Sequence, residues 1–322
     1  GKRAYAGQVL PGQLAVVPVS YRIRLRAFAK INLGLKVLLP RVDGYHEIRT
    51  IYQTVAMHDR LDLAVTRRPG IILDCQYPVP MGRDNLVYRA CEVWRAARKF
   101  KGGIRVRLEK RIPAGSGLGG GSSDAAAAIM GLERLTGNRL DAQTRFRLAA
   151  GLGSDVPLFL LGGRVLGCGR GEEVYPLTDL PPRKCLVAHP GFSISTREAY
   201  QQLSLRLTSR KEGRKVDAFG VWSWISPDGW GPAENDFESV VFAKWPELGN
   251  LKSQFIRAGA ETASLTGSGS AVYAVFDSAR KLIRASKAVP QDWVVFRTRT
   301  LRRRECQRLL FSTSPDEPTG NA

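Results

Sequence analysis

The sequence is poor in the residues that bind transition metals and form disulfides. It has three histidines in 322 residues, His46, His58 and His189, and none lies at a metal-site spacing from Cys, Asp or Glu. The cysteines are odd in number and form no CxxC pair: Cys75, Cys91, Cys168, Cys185 and Cys306. This pattern argues against a zinc site and a disulfide framework. A reducing, cytoplasmic location is therefore expected.

Long apolar runs and acidic residues are also scarce. The apolar stretch within the first twenty residues is short and is interrupted by Pro11 and Pro18, unlike a secretory signal. No later window approaches the roughly 20 apolar residues of a membrane span, so no membrane partner is expected. Lys and Arg number 49 against 29 Asp and Glu, a net charge of +20. This excess favours an anionic partner, which charge alone does not identify as nucleotide, nucleic acid or acidic surface.

The length and the 43% hydrophobic content predict two lobes. Alternating apolar residues predict a long strand over 22–39, with Lys30 and Asn32 on one face, and shorter strands at Leu61–Thr66 and Ile71–Cys75. Helices are predicted at Asn85–Phe100, Ser122–Leu135, Asp141–Ala150, Phe237–Ala243 and Leu251–Ala258, and late strands at Ala271–Phe276 and Trp293–Thr298. The basic and Trp-rich segment 204–232 reads as an insertion.

Five glycines lie in the segment PAGSGLGGGSSD, residues 113–124, between a predicted strand and a predicted helix. Glycine reaches positive φ and lets successive backbone N–H groups approach an anion, and the helix adds its positive end. A flexible linker would not normally join a patterned strand to a capped helix. The segment therefore predicts a phosphate-binding loop. A second cluster, LTGSGS at 265–270, is able to close over the same ligand.

Two better-known phosphate motifs do not fit this loop. It contains GxGxxG at Gly115, Gly117 and Gly120, but a dinucleotide-binding fold needs a second strand ending in an acid about 20 residues on, and 136–141 reads as a turn. A Walker A loop would need a lysine before Ser122. Spacing alone leaves the roles of two other residues open. It favours Asp155 as the cap of a short helix over Asp155 as a catalytic residue, and it fits Lys30 at least as well to a surface lysine on an edge strand as to a functional one.

Three segments in order resemble the motifs of the GHMP kinases: AFAKINLGLKV, PAGSGLGGGSSDAA and LTGSGSAVYAVF. The resemblance implies an α+β, two-lobed fold. It assigns residues 21–180 to a ribosomal-protein-S5-like, ATP-binding N-terminal domain and 181–311 to a C-terminal α/β substrate domain. Residues 1–20 and 312–322 remain as an extension and a tail. We expect a monomer or a weak homodimer.

Within the family, DGYH at 43–46 is similar to the branch whose substrate is a cytidine diphosphate-linked methylerythritol, and LGSDVPLFL, HPGFSIST and ENDFE support this. The resemblance implies transfer of the ATP γ-phosphoryl group, with Mg²⁺, to the 2-hydroxyl of the erythritol in the non-mevalonate isoprenoid pathway. One alternative is a GHMP kinase for another small alcohol. A second is a nucleic-acid-binding protein that uses Arg22, Arg24, Arg26 and 297–304, which the kinase motifs disfavour.

The resemblance also implies roles for individual residues. Asp155 takes the hydroxyl proton, Lys30 orients that hydroxyl, and Asn32 contacts the substrate. The remaining substrate residues are Tyr45 and Tyr200, which sandwich the cytosine, His46 on its edge, Thr196 at the diphosphate, and Gly267, Ser268 and Gly269. The ATP-binding residues are Asn85, Leu86, Lys110, Pro113, Gly115, Ser116, Gly117, Gly119, Gly120, Gly121, Ser122 and Ser123, with Gly120 and Gly121 on phosphate and Ser123 near Mg²⁺.

Overall fold

The chain folds around two β-sheets in a computed structural model that describes residues 21–76, 80, 82–208, 230 and 233–311. The first sheet has six strands: β1 (Tyr21–Pro40), β2 (His46–Thr66), β3 (Gly70–Cys75), β4 (Gly103–Glu109), β5 (Arg164–Cys168) and β6 (Glu173–Pro176). Strand order is β3-β4-β2-β5-β6, and β1 pairs with β2 outside this path. The mixed α and β architecture predicted from the sequence is confirmed.

Four helices accompany the first sheet: α1 (Leu86–Ala97), α2 (Gly120–Thr136), α3 (Ala142–Leu152) and α4 (Val156–Leu161). Their apolar faces meet the sheet in one core, where Trp94 of α1 and Leu132 of α2 pack with Leu25, Leu63 and Val106 of the strands. Burial of such side chains stabilises the fold by about 1.5–3 kcal/mol each. The alanine-rich stretch of α2 lets this helix lie close to the sheet.

The second sheet is antiparallel, in the order β10-β7-β9-β8. Its strands are β7 (Lys184–His189), β8 (Thr262–Leu265), β9 (Val272–Phe276) and β10 (Val294–Arg299), and the accompanying helices are α5 (Thr196–Thr208), α6 (Glu238–Lys244), α7 (Pro246–Arg257), α8 (Ala279–Ser286) and α9 (Arg303–Leu310). Phe237, Phe255 and Phe276 fill its core. Helix α9 returns to the first part of the chain, because Leu310 packs in the first core.

The hairpin of β1 and β2 runs through both parts of the molecule. Leu25 belongs to the first core, Ile31 to an interface cluster with Val187 and Tyr273 of the second sheet, and Val37 to the second core. The middle of β1 therefore lies where the two sheets meet. This position fixes Lys30 and Asn32 between the glycine-rich segments of both halves.

Several predicted boundaries were wrong. β2 extends over 21 residues rather than over Leu61–Thr66, because buried polar residues such as Gln53 and Asp59 interrupt the alternation that marks a strand. Helix α2 begins at Gly120, not at Ser122. Residues 1–20 and 312–322 and most of 204–232 lie outside the described residues, and the predicted domain boundary at 180 stays a prediction. Within the described ranges, no helix has the length and apolarity needed to span a membrane.

Candidate active site

A cleft of about 1460 Å³ lies between the two halves of the molecule. It brings together residues that are as far apart in the sequence as Lys30 and Ser268. All of the site residues predicted from the sequence line it except Ser123 and Gly269: Lys30, Asn32, Tyr45, His46, Asn85, Leu86, Lys110, Pro113, Gly115, Ser116, Gly117, Gly119, Gly120, Gly121, Ser122, Asp155, Thr196, Tyr200, Gly267 and Ser268. Their assigned roles stay predictions.

The N-terminus of α2 opens onto this cleft. Its N-cap is Gly119, in the left-handed conformation at φ 74°, and no side chain caps the helix. Gly119, Gly120, Gly121 and Ser122 all line the cleft. The expectation that serines begin this helix was wrong. The first-turn N–H groups therefore remain available to an anion at the positive end of the helix dipole.

The carbonyls of the preceding loop are tied to other elements. The carbonyl of Ser116 accepts from the backbone N–H of Ala271 at 3.1 Å, that of Gly117 from the hydroxyl of Thr266 at 3.1 Å, and that of Leu118 from the N–H of Lys30 at 3.0 Å. In a trans peptide the next N–H points opposite to the carbonyl. The N–H groups that follow these three residues therefore point away from the protein contacts.

The two glycine-rich segments touch at Gly117, where φ is 81° and a Cβ would lie 2.0 Å from the carbonyl oxygen of Thr266. We expect Gly117→Ala to force the segments apart and to weaken ATP binding more than tenfold, since a positive φ and a backbone clash both oppose alanine. Titration with ATP would measure this. Gly151→Ala is the control, because a Cβ there meets nothing within 4 Å. Unchanged ATP affinity would show that contact between the segments is dispensable.

Lys110 enters the cleft from a buried charge cluster. Its ammonium donates to Asp59 and, at 2.8 Å, to Asp124, and both carboxylates are almost fully buried. Burial alone would lower the pKa of Lys110, but the two carboxylates outweigh it and raise that pKa to about 12. Burial and the Asp59 charge raise the pKa of Asp124 well above its usual range. The Lys110 ammonium thus anchors the start of the glycine loop.

Lys30 and Asp155 meet beside the loop. Nζ of Lys30 lies 3.4 Å from Oδ2 of Asp155, and the Lys30 side chain is 3% exposed, whereas that of Asp155 is 30% exposed. The alternative of a surface lysine was therefore wrong. Asp155 occupies the N-cap position of α4, but its side chain makes no capping hydrogen bond. The carboxylate is directed to Lys30 instead, at the surface of the cleft.

Asn32 joins the two halves at this point. Its Oδ1 accepts from Nζ of Lys30 at 2.7 Å and from the backbone N–H of Gly267 at 2.8 Å, and its Nδ2 donates to the hydroxyl of Thr50 at 2.8 Å. The hydroxyl of Thr266 donates to the same oxygen at 3.2 Å. Asn32 thus orients Lys30 and the second glycine segment, in addition to any contact that it makes with a substrate.

Tyr52 was missed by the sequence analysis. Its hydroxyl donates to Oδ1 of Asp155 at 3.1 Å, and Nζ of Lys30 lies 5.4 Å from the centre of its ring. Burial and the Asp155 charge raise the pKa of Tyr52 well above its usual value. One signal for Tyr52 was present in the sequence, the period of a strand, which places alternate residues of β2 on one face. The period does not show which residue of β2 lies opposite Asn32, because the pairing of β1 with β2 decides that.

The far end of the cleft is aromatic. His46 stacks on Tyr200 with ring centres 5.1 Å apart, and Tyr200 meets Phe237 edge-on. Nε2 of His46 is 2.9 Å from the hydroxyl of Ser204. Tyr45 is 53% exposed, and the guanidinium of Arg170, which was not predicted, lies 4.8 Å from its ring centre. Tyr200 therefore faces His46, and the predicted sandwich between Tyr45 and Tyr200 stays a prediction.

Ser123, the residue predicted near Mg²⁺, does not line the cleft. Ser122 lines the cleft, whereas Ser123 is 2% exposed and faces the side of α2 that carries Ala127 and Met130. No group of three or more His, Cys, Asp or Glu able to hold a metal ion occurs among the described residues. Asp124 also lines the cleft, and its buried Oδ1 has no hydrogen-bond partner in the described part of the chain. Ser122 and Asp124 are thus the available oxygen donors.

Comparisons with known proteins agree with this arrangement. The protein-family model described as "GHMP kinases N terminal domain" matches residues 85–163, and the family model described as "GHMP kinases C terminal" matches residues 227–295. The 4-diphosphocytidyl-2-C-methyl-D-erythritol kinase of Solibacter usitatus is 42% identical over 272 residues, covering 83% of this chain and 85% of the relative. The protein of the same name from Pelotomaculum thermopropionicum is 37% identical over 276 residues, which cover 84% of this chain and 96% of the relative.

A solved structure gives the same result in three dimensions. The crystal structure of a 4-(cytidine 5'-diphospho)-2C-methyl-D-erythritol kinase superposes with a TM-score of 0.71 at 34% identity, covering 86% of this chain and 99% of that one. Relatives at this identity, matched over most of their length, share a fold and a family with this chain. The chain belongs to the GHMP kinase family and, within it, to the 4-diphosphocytidyl-2-C-methyl-D-erythritol kinases.

Proposed function

We propose that this enzyme transfers the γ-phosphoryl group of ATP to the 2-hydroxyl of 4-diphosphocytidyl-2-C-methyl-D-erythritol. The observation that carries the proposal is the position of the Lys30 and Asp155 pair, 3.4 Å apart. The pair lies in one cleft with the glycine loop and with the aromatic end around Tyr45 and Tyr200. A nucleotide on the loop and a cytidine on the aromatic end place the acceptor hydroxyl between them.

Phosphoryl transfer depends mainly on positioning and on stabilising charge. Asp155 takes the proton of the acceptor hydroxyl as that oxygen bonds to the γ-phosphorus. The bond from phosphorus to the bridging β–γ oxygen breaks, and ADP leaves with that electron pair. Lys30, fixed by Asn32 at 2.7 Å, holds the acceptor oxygen and balances the charge that develops on it. Both side chains are positioned before the substrate arrives, which reduces the reorganisation needed for reaction.

The nucleotide side consists of the loop 113–123 and the start of α2. Mg²⁺ bound with the nucleotide would supply positive charge against the phosphates. The hydroxyl of Ser122 and the unpartnered oxygen of Asp124 are the protein donors that would hold it. A magnesium ion with few protein ligands is usual where the phosphates and water supply the others. The net charge of +20 attracts both anionic substrates.

A coupled assay of ADP release tests this function directly. The purified protein is supplied with ATP, Mg²⁺ and one of three acceptors: the cytidyl substrate, homoserine or mevalonate. We expect rapid turnover with the first acceptor alone. Faster turnover with homoserine or mevalonate would overturn the assignment of the substrate while leaving a kinase. Absence of turnover with all three, together with salt-dependent RNA binding, would favour the nucleic-acid alternative.

The aromatic end makes a separate prediction. We expect Tyr45→Ala and Tyr200→Ala each to raise KM for the cytidyl substrate by roughly 5- to 150-fold, the equivalent of about 1–3 kcal/mol for loss of one base stack. KM for ATP should not change. Tyr175→Ala is the control matched to Tyr45→Ala, because Tyr175 is as exposed as Tyr45 and does not line the cleft. Little loss of activity in both variants would point to a different alcohol as acceptor.

A further inference from the structure

We propose that the hydroxyl of Tyr52 positions the base: it holds Oδ1 of Asp155 and so leaves Oδ2, which faces Lys30, as the atom that takes the substrate proton. The distances are 3.1 Å from the Tyr52 hydroxyl to Oδ1 and 3.4 Å from Nζ of Lys30 to Oδ2. The inference rests on the proposed role of Asp155. It adds a residue that acts through the base and assigns different tasks to the two carboxylate oxygens.

Asp155 needs such support because its own helix does not supply it. The residue stands at the N-cap position of α4, where an Asp side chain ordinarily bonds to a backbone N–H of the first turn, yet this bond is absent here. The carboxylate is also 30% exposed to the cleft. A partly exposed carboxylate without a capping bond needs other partners to fix its orientation. Its partners among the described residues include the hydroxyl of Tyr52 and the ammonium of Lys30, one on each oxygen.

Tyr52 is itself held rigidly. It lies in the middle strand of the sheet, paired with Asn32 of β1 on one side and Val165 of β5 on the other, and it is 1% exposed. The backbone of Gly171, in the β5–β6 turn, closes over the hydroxyl, since a Cβ there would lie 2.5 Å from the hydroxyl oxygen. The donor therefore has little room to move.

The direction of the hydrogen bond follows from the chemistry of the two groups. An ionised carboxylate only accepts hydrogen bonds, so the phenol is the donor. Burial, reinforced by the adjacent carboxylate, raises the pKa of Tyr52 well above its usual value. The hydroxyl therefore keeps its proton at the pH values at which enzymes are assayed. Lone pairs on Oδ2 remain for the substrate.

Tyr52→Phe tests the hydroxyl alone, because the ring keeps its packing and its contact with Lys30. We expect kcat to fall roughly 10- to 100-fold, the range for losing a hydrogen bond to a charged group, with KM for ATP unchanged. The loss should be confined to kcat. A merely structural residue would change KM for ATP as well as kcat. The control Tyr175→Phe should behave as wild type.

A double-mutant cycle then asks whether Tyr52 acts through Asp155. In the Asp155→Asn background, adding Tyr52→Phe should lower kcat by less than about twofold, because residues that act as a unit are not additive. A full additional loss would overturn the inference, as would a Tyr52→Phe variant with wild-type kcat. If Tyr52→Phe does not fold, Gly171→Ala replaces it, since a Cβ there would lie 2.5 Å from the hydroxyl oxygen and would push the whole phenol away from Asp155.

Failure of the inference can be told from failure of the proposed function. If the wild-type enzyme turns over the cytidyl substrate and Tyr52→Phe does so at the same rate, the inference is refuted and the proposed function stands. Turnover of a different alcohol refutes the proposed substrate, and the same cycle measured with that alcohol still decides the role of Tyr52. Wild-type rates in Asp155→Asn refute the base and the inference together while the kinase activity stands.

Discussion

Asp155→Asn is expected to lower kcat by about 10²–10⁴-fold, the usual contribution of general-base assistance, with little change in ATP affinity. The amide keeps the size of the carboxylate but does not take the hydroxyl proton. ATP binding is expected to survive, because the glycine loop and α2 form the nucleotide side without Asp155. Single-turnover kinetics and equilibrium ATP titration measure the two quantities separately.

The matched control is Asp277→Asn, a carboxylate at the end of β9 that pairs with Lys281 and lies outside the cleft. It should leave both quantities at wild-type values. Any loss of stability in Asp155→Asn should come from the ion pair with Lys30 and not from α4, because the side chain makes no capping bond to that helix. A kcat for Asp155→Asn within a few-fold of wild type would remove Asp155 from the base role and leave Lys30 to carry the acceptor side.

Asp59→Ala is expected to cost about 3–5 kcal/mol of unfolding free energy, the range for removing one partner of a buried ion pair. The Asp59 carboxylate is fully buried and accepts from the Lys110 ammonium and from the backbone N–H groups of Arg111 and Ile112, the latter at 2.8 Å. Alanine leaves both N–H groups without this acceptor. Denaturant unfolding at equilibrium measures the loss. ATP affinity should also fall, because these residues begin the glycine loop.

Asp62→Ala is the control for this second prediction. Asp62 lies on the same strand, and its partners Arg22 and Arg24 are more than half exposed. Exposed ion pairs of this kind contribute about 0–1 kcal/mol, so this variant should unfold nearly as the wild type does. Equal losses in Asp59→Ala and Asp62→Ala would mean that the buried cluster contributes no more than a surface pair.

Much of the fold was predictable where a segment carries its own signal. The alternation in β1 and the alanine-rich body of α2 identified these elements correctly, because strand and helix periods are local properties. The glycine loop was equally visible, since positive φ and close anion approach both require glycine. Local reasoning failed at β2, where buried Gln53 and Asp59 break the pattern that a half-buried strand shows.

The candidate site divides in the same way. The sequence motifs identified Lys30, Asp155 and the glycine loop as site residues, and all of them line one cleft. They did not reveal that Lys110 is held by two buried carboxylates, or that Ser122 rather than Ser123 faces the cleft. These facts depend on which side chains a neighbouring element brings within about 3 Å, and a linear spacing does not contain that information.

The sequence by itself pointed to the kind of chemistry and to the family, because the glycine-rich loop is recognisable as a phosphate-binding segment and three motifs occur in the order of the GHMP kinases. That resemblance, rather than residue type, led to the predicted roles of Lys30 and Asp155. Only the tertiary structure decided how the carboxylate is held. Tyr52 and Asp155 are 103 residues apart and meet because β2 pairs with β1 and β5 while α4 lies against the same site. Hydrogen bonds between distant residues follow from strand pairing and packing, which are properties of the whole fold.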